Sequence, residues 1–281
     1  MNESEIQDFW QNHPCGEDFV GGAENYKADY ETFFENYDKF RYRKESHILE
    51  CLNAIDFHGK RTLEIGLGQG ADSEQVINRG ADWFGLDLTG ESTKRVQLRL
   101  NLRALKFGGI INGSAVEMPF ADKSFDIVFS HGVLHHIPEI KTAQSEIHRV
   151  LKPDGALIVM LYAKNSLNYK LSIAVVRRLG LLGMYLTKQG ANGLIGQHLA
   201  NARQKGLWNY LKMKNFIHRN TDGALNPYSK VYDLKEIGKD FPDFKIVKSY
   251  KRFMHAPPLP VGKLPFENFL GWHLWAHLKP R

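Results

Sequence analysis

The sequence predicts an α/β fold with a doubly wound sheet, and three observations support this prediction. Short apolar segments alternate with stretches of helical character, which is the order of βαβ units with right-handed crossovers and parallel strands. A glycine-rich turn follows the first apolar segment, as expected where a strand leads into a helix. The chain of 281 residues is 43% hydrophobic and 24% charged, so it can form a sizeable core within one elaborated domain.

The elements follow from the apolar pattern in chain order. Residues 3–53 are polar, and their aromatic residues recur at spacings near three and four, which predicts amphipathic helices: Tyr26, Tyr30, Phe33, Phe34 and Tyr37. Seven strands are predicted, at 61–65, 83–88, 109–112, 125–129, 155–161, 245–250 and 272–278. Helices are predicted around them at 71–79, 92–107, 140–151 and 233–239.

The strand and helix pattern is interrupted once. Residues 163–228 contain no clear strand but carry two apolar stretches, 171–179 and 180–186, which predict helices. We therefore expect four segments: an N-terminal helical cap (1–60), a ligand-binding core (61–162), a basic helical insertion that covers the substrate (163–230), and the C-terminal part of the core (231–281).

Charge is distributed unevenly along the chain, whose net charge is +6. Residues 1–159 hold 17 Lys and Arg against 25 Asp and Glu, whereas residues 160–281 hold 20 against 6. A basic surface attracts anionic small molecules, acidic membrane surfaces or nucleic acids, or it is simply a solvated face. Charge alone does not choose among these.

Several classes of protein are disfavoured by what the sequence lacks. Cys15 and Cys51 have no paired spacing, so neither a disulfide framework nor a zinc ribbon is expected. The twelve histidines form no HExxH motif, and we predict no metal site. The chain shows neither a signal-peptide pattern nor a run of 18 apolar residues, so we expect a cytoplasmic protein.

The glycine turn carries the first chemical signal. Gly66, Gly68 and Gly70 permit tight turns and a close approach of the backbone to a nucleotide-like ligand. Glu64, two residues before the first glycine, suits a cationic ligand such as a sulfonium. The segment also fits a dinucleotide pattern, with Asp87 twenty-one residues beyond Gly66, so a nicotinamide-dependent oxidoreductase is an alternative at this point.

Three later segments extend this signal: 113–120 (GSAVEMPF), 124–136 (SFDIVFSHGVLHH) and 146–155 (EIHRVLKPDG). With the glycine turn they closely resemble the class I S-adenosylmethionine-dependent methyltransferases, in particular the group that includes the ubiquinone and menaquinone biosynthesis methyltransferases. The resemblance runs from about residue 61 to residue 161. It implies a Rossmann-like sheet with S-adenosylmethionine as cofactor, whereas an oxidoreductase would not account for the MPF and HH segments.

The resemblance also implies roles for individual residues. The methionine part of the cofactor would lie against Glu64, Gly66, Gly68 and Gly70, and its ribose hydroxyls against Asp87. The adenine would lie against Leu88, Ser114 and Ala115, and the methyl group beside Ser130 and His131. Family members often carry Asp where Ser114 stands, and a hydroxyl is a weaker anchor than a carboxylate.

Methyl transfer is an in-line displacement, so the protein mainly aligns the reactants and excludes water. A hydroxyl or carbon-acid acceptor also requires a base, for which His131 is the first candidate and His135 the second. For His135 and its neighbour His136, which follow a helix-like turn, a structural role or one beside the cofactor is favoured over catalysis. An amine or thioether acceptor requires no base.

The acceptor should contact the segments added to the common core. Tyr26, Tyr30, Tyr37 and Tyr42 would form an aromatic lid over the sulfonium, or else belong to a helix core. Arg177 and Arg178 of the insertion would contact a small-molecule acceptor that is anionic or hydrophobic.

Three alternatives remain open for the function. The insertion would lie on a membrane surface in an enzyme that methylates a lipid such as a prenylated quinone. Nucleic acid is a weaker option for the basic surface. A non-catalytic scaffold that binds S-adenosylmethionine is the third alternative, and the sequence does not predict the oligomeric state.

Overall fold

A computed structural model describes residues 2–14, 16–188 and 190–281, so Cys15 lies outside the described residues. Its centre is one sheet of seven strands in the order β3-β2-β1-β4-β5-β7-β6. The strands are β1 Arg61–Ile65, β2 Asp82–Asp87, β3 Gly109–Asn112, β4 Phe125–His131, β5 Leu151–Tyr162, β6 Phe244–Arg252 and β7 His273–Pro280. The doubly wound, Rossmann-like fold predicted from the sequence is confirmed.

One strand departs from the predicted parallel arrangement. β1 to β5 pair in parallel, but β7 runs antiparallel to both of its neighbours, with Val159 opposite Ala276 in the register of β5. A parallel return requires a crossover of a dozen or more residues, usually a helix packed on the sheet. The link from β6 to β7 contains only one four-residue helix, α12 Glu267–Leu270, so the chain turns back beside β6.

Two apolar layers cover the sheet, one on each face. The first contains helices α6 Ile140–Val150 and α11 Leu234–Asp240, which bury Ile147 and Ile237 against the strands. The second contains α3 His47–Asn53, α4 Ala71–Asn78 and α5 Gly90–Leu102, which bury Leu52, Val76 and Leu100. Since both faces of the sheet are covered, its inner strands are rich in apolar residues, as in other parallel sheets.

The helices before β1 confirm the helical N-terminal region in outline. α1 Glu3–Asn12 begins at Asn2, whose side chain accepts a hydrogen bond from the Glu5 N–H, and α2 Tyr30–Lys44 begins at Asp29, which caps it in the same way. Two short 3₁₀ turns, Glu17–Val20 and Ala23–Tyr26, lie between them.

The segment after β5 is helical, as predicted, although its first helix is of an unusual type. Asn168–Arg177 is a π-helix that continues directly into α7 Arg178–Leu186. It is followed by α8 Gly193–Lys205, α9 Leu207–Tyr210 and α10 Met213–Phe216, with a final 3₁₀ turn at Ile217–Arg219. These helices form an apolar cluster of their own around Leu199, Tyr210 and Phe216.

Candidate active site

A cavity of about 1240 Å³ opens at the carboxyl edge of the sheet, where ligands of open α/β sheets bind. Its walls come mainly from five parts of the chain: α1, α2, the loops after β1, β2 and β4, the helices of the insertion, and the link from β6 to β7. Because these parts are distant in sequence, the cavity exists only in the folded chain.

The glycine turn forms one wall. Gly66, Gly68 and Gly70 have φ angles of +81°, +52° and +76°, which residues with a Cβ rarely adopt. A Cβ on Gly66 would also overlap the Val133 side chain, so this position needs glycine for conformation and for space. Gly66 and Gly68 line the cavity, whereas Gly70 faces Val96 and is not part of its lining.

Asp87, at the end of β2, holds this turn in place. One carboxylate oxygen accepts a hydrogen bond of 2.7 Å from the Leu67 N–H, and the other accepts two of 2.8 Å from the Thr89 N–H and hydroxyl. Burial raises the pKa of Asp87, and these donors oppose the rise. Asp87 and Leu88 both line the cavity beside the turn, while the expected contact of Asp87 with ribose remains a prediction.

Glu64 lies on β1 beneath the turn and lines the cavity, with 2% of its surface exposed. Its Oε2 accepts a hydrogen bond of 2.8 Å from Trp83 Nε1. Burial, reinforced by the nearby Asp72 carboxylate, raises the pKa of Glu64 to about 8. A cationic group placed beside this carboxyl group would favour its ionised form.

His131 belongs to a buried group of polar residues that the sequence analysis did not assemble. Its Nδ1 lies 3.1 Å from Arg41 Nη2 and 3.3 Å from Asp72 Oδ2, while its Nε2 has no partner among the described residues. Arg41 makes a two-point contact with Asp72, whose Oδ1 also accepts a hydrogen bond of 3.1 Å from the Tyr42 hydroxyl. Burial opposes ionisation of Asp72, but Arg41 and His131 outweigh it and hold the pKa of Asp72 well below its usual range.

A second histidine and carboxylate pair lines the cavity on the side of the insertion. His136 Nε2 lies 3.4 Å from Asp222 Oδ2, and Asp222 Oδ1 accepts a hydrogen bond of 2.7 Å from the Tyr162 hydroxyl. The Trp10 ring of α1 packs edge-on against His136 at 5.1 Å. Helix α1 therefore contacts the loop after β4, and His136 of that loop in turn lies beside Asp222 of the insertion. No sequence motif predicted this arrangement.

Three other predicted residues lie outside the lining of the cavity. The Ser114 hydroxyl donates to Glu3 of α1 and accepts from the Val116 N–H, whereas the neighbouring Ala115 does line the cavity. Ser130 donates to the Ile65 carbonyl oxygen at 3.0 Å and joins the ends of β4 and β1. His135 is fully buried against Tyr162, and burial lowers its pKa well below the usual range.

Three of the four aromatic residues chosen from the sequence, Tyr26, Tyr30 and Tyr42, lie outside the lining of the cavity, whereas Tyr37 lines it. Tyr26 packs on Phe33, and Tyr30 lies 6.3 Å from Phe34, so both belong to a small apolar cluster away from the cavity. Tyr42 is buried against Asp72. The face of α2 that lines the cavity carries residues spaced by three and four, as one face of a helix requires: Tyr37, Phe40, Arg41, Lys44 and Glu45.

The two arginines predicted to bind the acceptor differ in position. Arg177 lines the cavity, and its guanidinium donates to the carbonyl oxygens of Pro257 at 2.9 Å and Asn220 at 2.7 Å. No carboxylate pairs with it among the described residues, and burial lowers its pKa to about 10. Arg178 donates to the Ala174 carbonyl oxygen and does not line the cavity.

The described residues hold no group of three or more His, Cys, Asp or Glu side chains that could bind a metal ion. Within the same ranges, every helix is too short or too polar to cross a membrane.

Two features define the class I methyltransferase fold. One is the strand order with an antiparallel seventh strand, and the other is a glycine turn after β1 that lies beside an acidic residue at the end of β2. The residues of this site fit S-adenosylmethionine. Gly66 has no side chain that would block the ligand, and the carboxyl groups of Glu64 and Asp87 are buried nearby. Residues 63–159 match the family described as a methyltransferase domain. Residues 63–159 thus form a methyltransferase domain, and the fold of the chain is the one found in S-adenosylmethionine-dependent methyltransferases.

Individual relatives are similar over the same part of the chain. A fatty-acid O-methyltransferase of Mycolicibacterium smegmatis is 35% identical over 102 residues, which is 36% of each chain. A phthiotriol/phenolphthiotriol dimycocerosates methyltransferase of Mycobacterium ulcerans is 35% identical over 106 residues, or 37% of this chain and 38% of the relative. The matched region thus spans little more than a third of these relatives.

Likeness in structure extends further than likeness in sequence. A SAM-dependent methyltransferase from Aquifex aeolicus superposes with a TM-score of 0.51 at 14% identity, covering 86% of this chain and 93% of the other. The shared fold thus includes much of the chain outside residues 63–159. The specific likeness to ubiquinone and menaquinone enzymes stays a prediction.

Proposed function

We propose that this protein transfers the methyl group of S-adenosylmethionine to a small amphiphilic acceptor held between the glycine turn and the helical insertion. The observation that carries the proposal is the continuous cavity of about 1240 Å³. Sites for one drug-sized ligand usually measure about 300–1000 Å³, so this cavity has room for an acceptor beside the cofactor. A cytoplasmic location remains part of the proposal.

The cofactor end of the cavity is the acidic end. S-adenosylmethionine, when bound, supplies an electrophilic methyl group on a positively charged sulfur. Glu64 would face the amino group of its methionine part. Gly66 and Gly68, which lack side chains, would leave room for the rest of that part. Asp87 and Leu88 would lie along the nucleoside, which α1 covers through the bond of 2.8 Å from Gln7 Nε2 to the Leu88 carbonyl oxygen.

His131 is the base in this proposal. When Asp72 accepts the proton of Nδ1–H, Nε2 carries a lone pair that can take a proton from an acceptor hydroxyl. Nε2 is buried in the ligand-free protein, so the rings packed around it must shift as the acceptor binds. Asp72 would then stabilise the imidazolium that forms, while Arg41 keeps Asp72 ionised. His135, which lies outside the lining, has no role in this proposal.

The far end of the cavity favours an anionic group. Arg177 lacks a carboxylate partner, and an anion of the acceptor would neutralise its charge through charge-assisted hydrogen bonds. The rings of His131, His273, Phe253 and His255 form a row with centroids 5.8, 4.7 and 4.9 Å apart, and Arg177 contacts the chain two residues beyond His255. An anion bound at Arg177 would therefore be remote from the base. The methylated group in this proposal is thus a second group of the acceptor, a hydroxyl.

A carboxylate is the second candidate for the methylated group, and the similarity to the fatty-acid O-methyltransferase favours it. A carboxylate is already ionised at neutral pH and needs no base. Its apolar chain would contact the Leu181, Met184 and Phe216 side chains, which line the same end of the cavity.

The test begins with calorimetric titration of the purified protein with S-adenosylhomocysteine and, separately, with NAD and NADH. Binding of the first alone supports the proposed cofactor site, and absence of that binding contradicts it. Transfer of labelled methyl groups is then measured with three acceptors: a fatty acid, a hydroxylated fatty acid, and the methyl ester of that hydroxylated acid.

Arg177→Gln is expected to raise KM for the hydroxylated acid by about tenfold or more, because charge-assisted hydrogen bonds are lost. The KM for its methyl ester should not change, and Arg178→Gln, outside the cavity, serves as the matched control. Ester formation on the plain fatty acid would establish the second candidate. Binding of S-adenosylhomocysteine without transfer to any acceptor would favour a non-catalytic scaffold.

A further inference from the structure

Three apolar side chains project from the outer side of the first insertion helices. Leu171, Val175 and Leu179 are 40%, 41% and 62% exposed. They are spaced by four residues along the π-helix and the start of α7, so they lie on one side of the continuous helix. The opposite side of the same helices lines the cavity with Val176, Arg177 and Leu181.

A second exposed apolar group lies in the link between β6 and β7. Leu264, Phe266 and Phe269 are 43%, 50% and 74% exposed. Phenylalanine rings have a large apolar area, and their burial is favourable. Two exposed rings so close together form an apolar patch, which is typical of an interaction site.

Direct contacts place the start of the π-helix beside the link between β6 and β7. Lys251 Nζ donates to the carbonyl oxygen of Asn165, just before the π-helix, at 2.7 Å, and to that of Phe269 at 2.5 Å. Leu167 and Leu270 pack into the same apolar cluster beneath the surface. We call this surface the docking face and define it by Leu171, Val175, Leu179, Leu264, Phe266 and Phe269.

The charge around the docking face is mostly positive. Residues 163–221 contain ten Lys and Arg and no Asp or Glu. Lys170 and Lys263 are exposed at the docking face itself. The nearby Glu267 lies 3.6 Å from Arg252, so its charge is balanced within the fold.

We propose that the docking face binds the surface of an anionic lipid bilayer. Apolar side chains that enter the boundary between headgroups and acyl chains, flanked by lysines that attract anionic headgroups, are the components of interfacial membrane binding. The inference rests on the proposed function in one respect: the bilayer would be the source of the amphiphilic acceptor. The wall between docking face and cavity is a single helix thick, so a docked molecule holds its acceptor compartment next to the lipid.

The test is flotation of the purified full-length protein with vesicles. Vesicles of phosphatidylcholine alone are compared with vesicles that contain phosphatidylcholine and phosphatidylglycerol in equal parts. We expect the protein to float with the anionic vesicles only, and to be released as salt is raised. The double variant Phe266→Ser, Phe269→Ser should weaken binding by about tenfold or more, because burial of one phenylalanine side chain shifts an equilibrium by that amount.

Matched controls separate this result from a general loss of structure. Val247→Ser and Leu102→Ser replace apolar residues that are 52% and 47% exposed elsewhere on the surface, and they should leave flotation unchanged. Lys170→Gln with Lys263→Gln should reduce binding to anionic vesicles. All variants should bind S-adenosylhomocysteine as the wild type does, which distinguishes failure of docking from failure of the cofactor site.

Two results would overturn the proposal. One is that the wild-type protein does not float with anionic vesicles. The other is that it floats equally well after the phenylalanines are replaced. A dimer that dissociates on replacement of the phenylalanines, without vesicle binding, would assign the face to contact between copies of this chain instead.

Discussion

At the scale of single residues, the chemistry of the cavity depends on which nitrogen of His131 carries the proton. Arg41 can only donate, so its contact with Nδ1 favours a proton on Nε2, whereas the contact with Asp72 favours a proton on Nδ1. Only the second form leaves a lone pair on Nε2. Burial, together with the nearby His47, lowers the pKa of His273, which lies beside His131, well below the usual range of a histidine.

Replacement of His131 tests its role as base. His131→Asn should lower kcat for a hydroxyl acceptor by about 10² to 10⁴, the usual contribution of a general base, and leave the affinity for S-adenosylhomocysteine close to that of the wild type. The same variant should have little effect on transfer to a carboxylate. Asp72→Asn should act in the same direction, and Tyr42→Phe, which removes only one contact to Asp72, should have a much smaller effect. Equal activity of His131→Asn on hydroxyl acceptors would rule His131 out.

The buried Glu64 gives a prediction about pH. Its folded-state pKa of about 8 exceeds the value of 4.5 expected in the unfolded chain, so the folded protein holds an extra proton between these values. The stability of the ligand-free protein should therefore fall as pH rises from 4.5 to 8, and level off above. Glu64→Gln should remove this decline and raise the free energy of unfolding at about pH 9 by on the order of 3 kcal/mol.

The cofactor should reverse this dependence on pH. Binding of an amino group favours the ionised carboxylate, so affinity for S-adenosylhomocysteine should increase with pH in the wild type and stay flat in Glu64→Gln. Chemical denaturation and calorimetry over a pH series measure both effects. A wild type and a variant with the same pH dependence would show that Glu64 is ionised throughout.

Sequence could predict the site residues that belong to a local motif, but not those assembled by tertiary contacts. Glu64, Gly66 and Asp87 stand at fixed positions relative to two strands, so the edge of the sheet brings them together. Asp72 has the sequence context of an ordinary acidic residue in the first turn of a helix. Its importance depends on Arg41, which is 31 residues away in the chain.

At the scale of elements, the face of a helix decides which residues reach the cavity. Selecting tyrosines by residue type in the N-terminal region gave Tyr26, Tyr30, Tyr37 and Tyr42, and of these four Tyr37 alone lines the cavity. The spacing of aromatic residues showed that helices are present. It did not show which side of a helix packs against the core, because apolar residues lie on two sides. The orientation of α2 is fixed by partners such as Asp72 and Arg99, both of which contact this helix.

Two substitutions on α2 test this arrangement. Phe40→Ala, on the cavity side, should weaken binding of S-adenosylhomocysteine or of the acceptor by about tenfold, in line with the loss of one apolar contact surface. Tyr30→Ala, on the opposite side, should lower thermal stability and leave both affinities unchanged. Calorimetry and thermal melting provide the two readouts, and the reverse pattern would contradict the assignment of the faces.

The strands of the sheet were predictable because parallel strands buried on both faces are short apolar runs bounded by turns. The direction of β7 was not, since pairing direction depends on the length and packing of the preceding link. The π-helix was also missed. Its apolar residues have nearly the spacing of an α-helix, and the difference lies in backbone bonds that no side-chain pattern records.

At the scale of the whole molecule, the walls of one cavity come from regions that are far apart in the sequence. The N-terminal helices, the edge of the sheet and the insertion each supply part of its wall. Ligand binding should therefore stabilise several regions at once and leave the far side of the sheet unaffected.

This expectation can be measured directly. S-adenosylhomocysteine at about one hundred times its Kd should raise Tm by about 5 °C, the shift expected from a binding free energy of about 2.7 kcal/mol in a chain of this size. Amide hydrogen exchange should slow in α1, α2 and the glycine turn, and remain the same in α6 and α11. Protection confined to the turn alone would show that the helices do not close on the cofactor.

The separate apolar cluster of the insertion has a consequence for how this molecule can change. Leu199, Tyr210 and Phe216 pack chiefly with one another, and Trp272 of the link before β7 joins them to the rest of the chain. Substitutions inside this cluster can reshape the acceptor compartment while the glycine turn and Asp87 stay untouched. New acceptor preferences can therefore evolve, or be engineered by grafting, without rebuilding the machinery that holds the methyl donor.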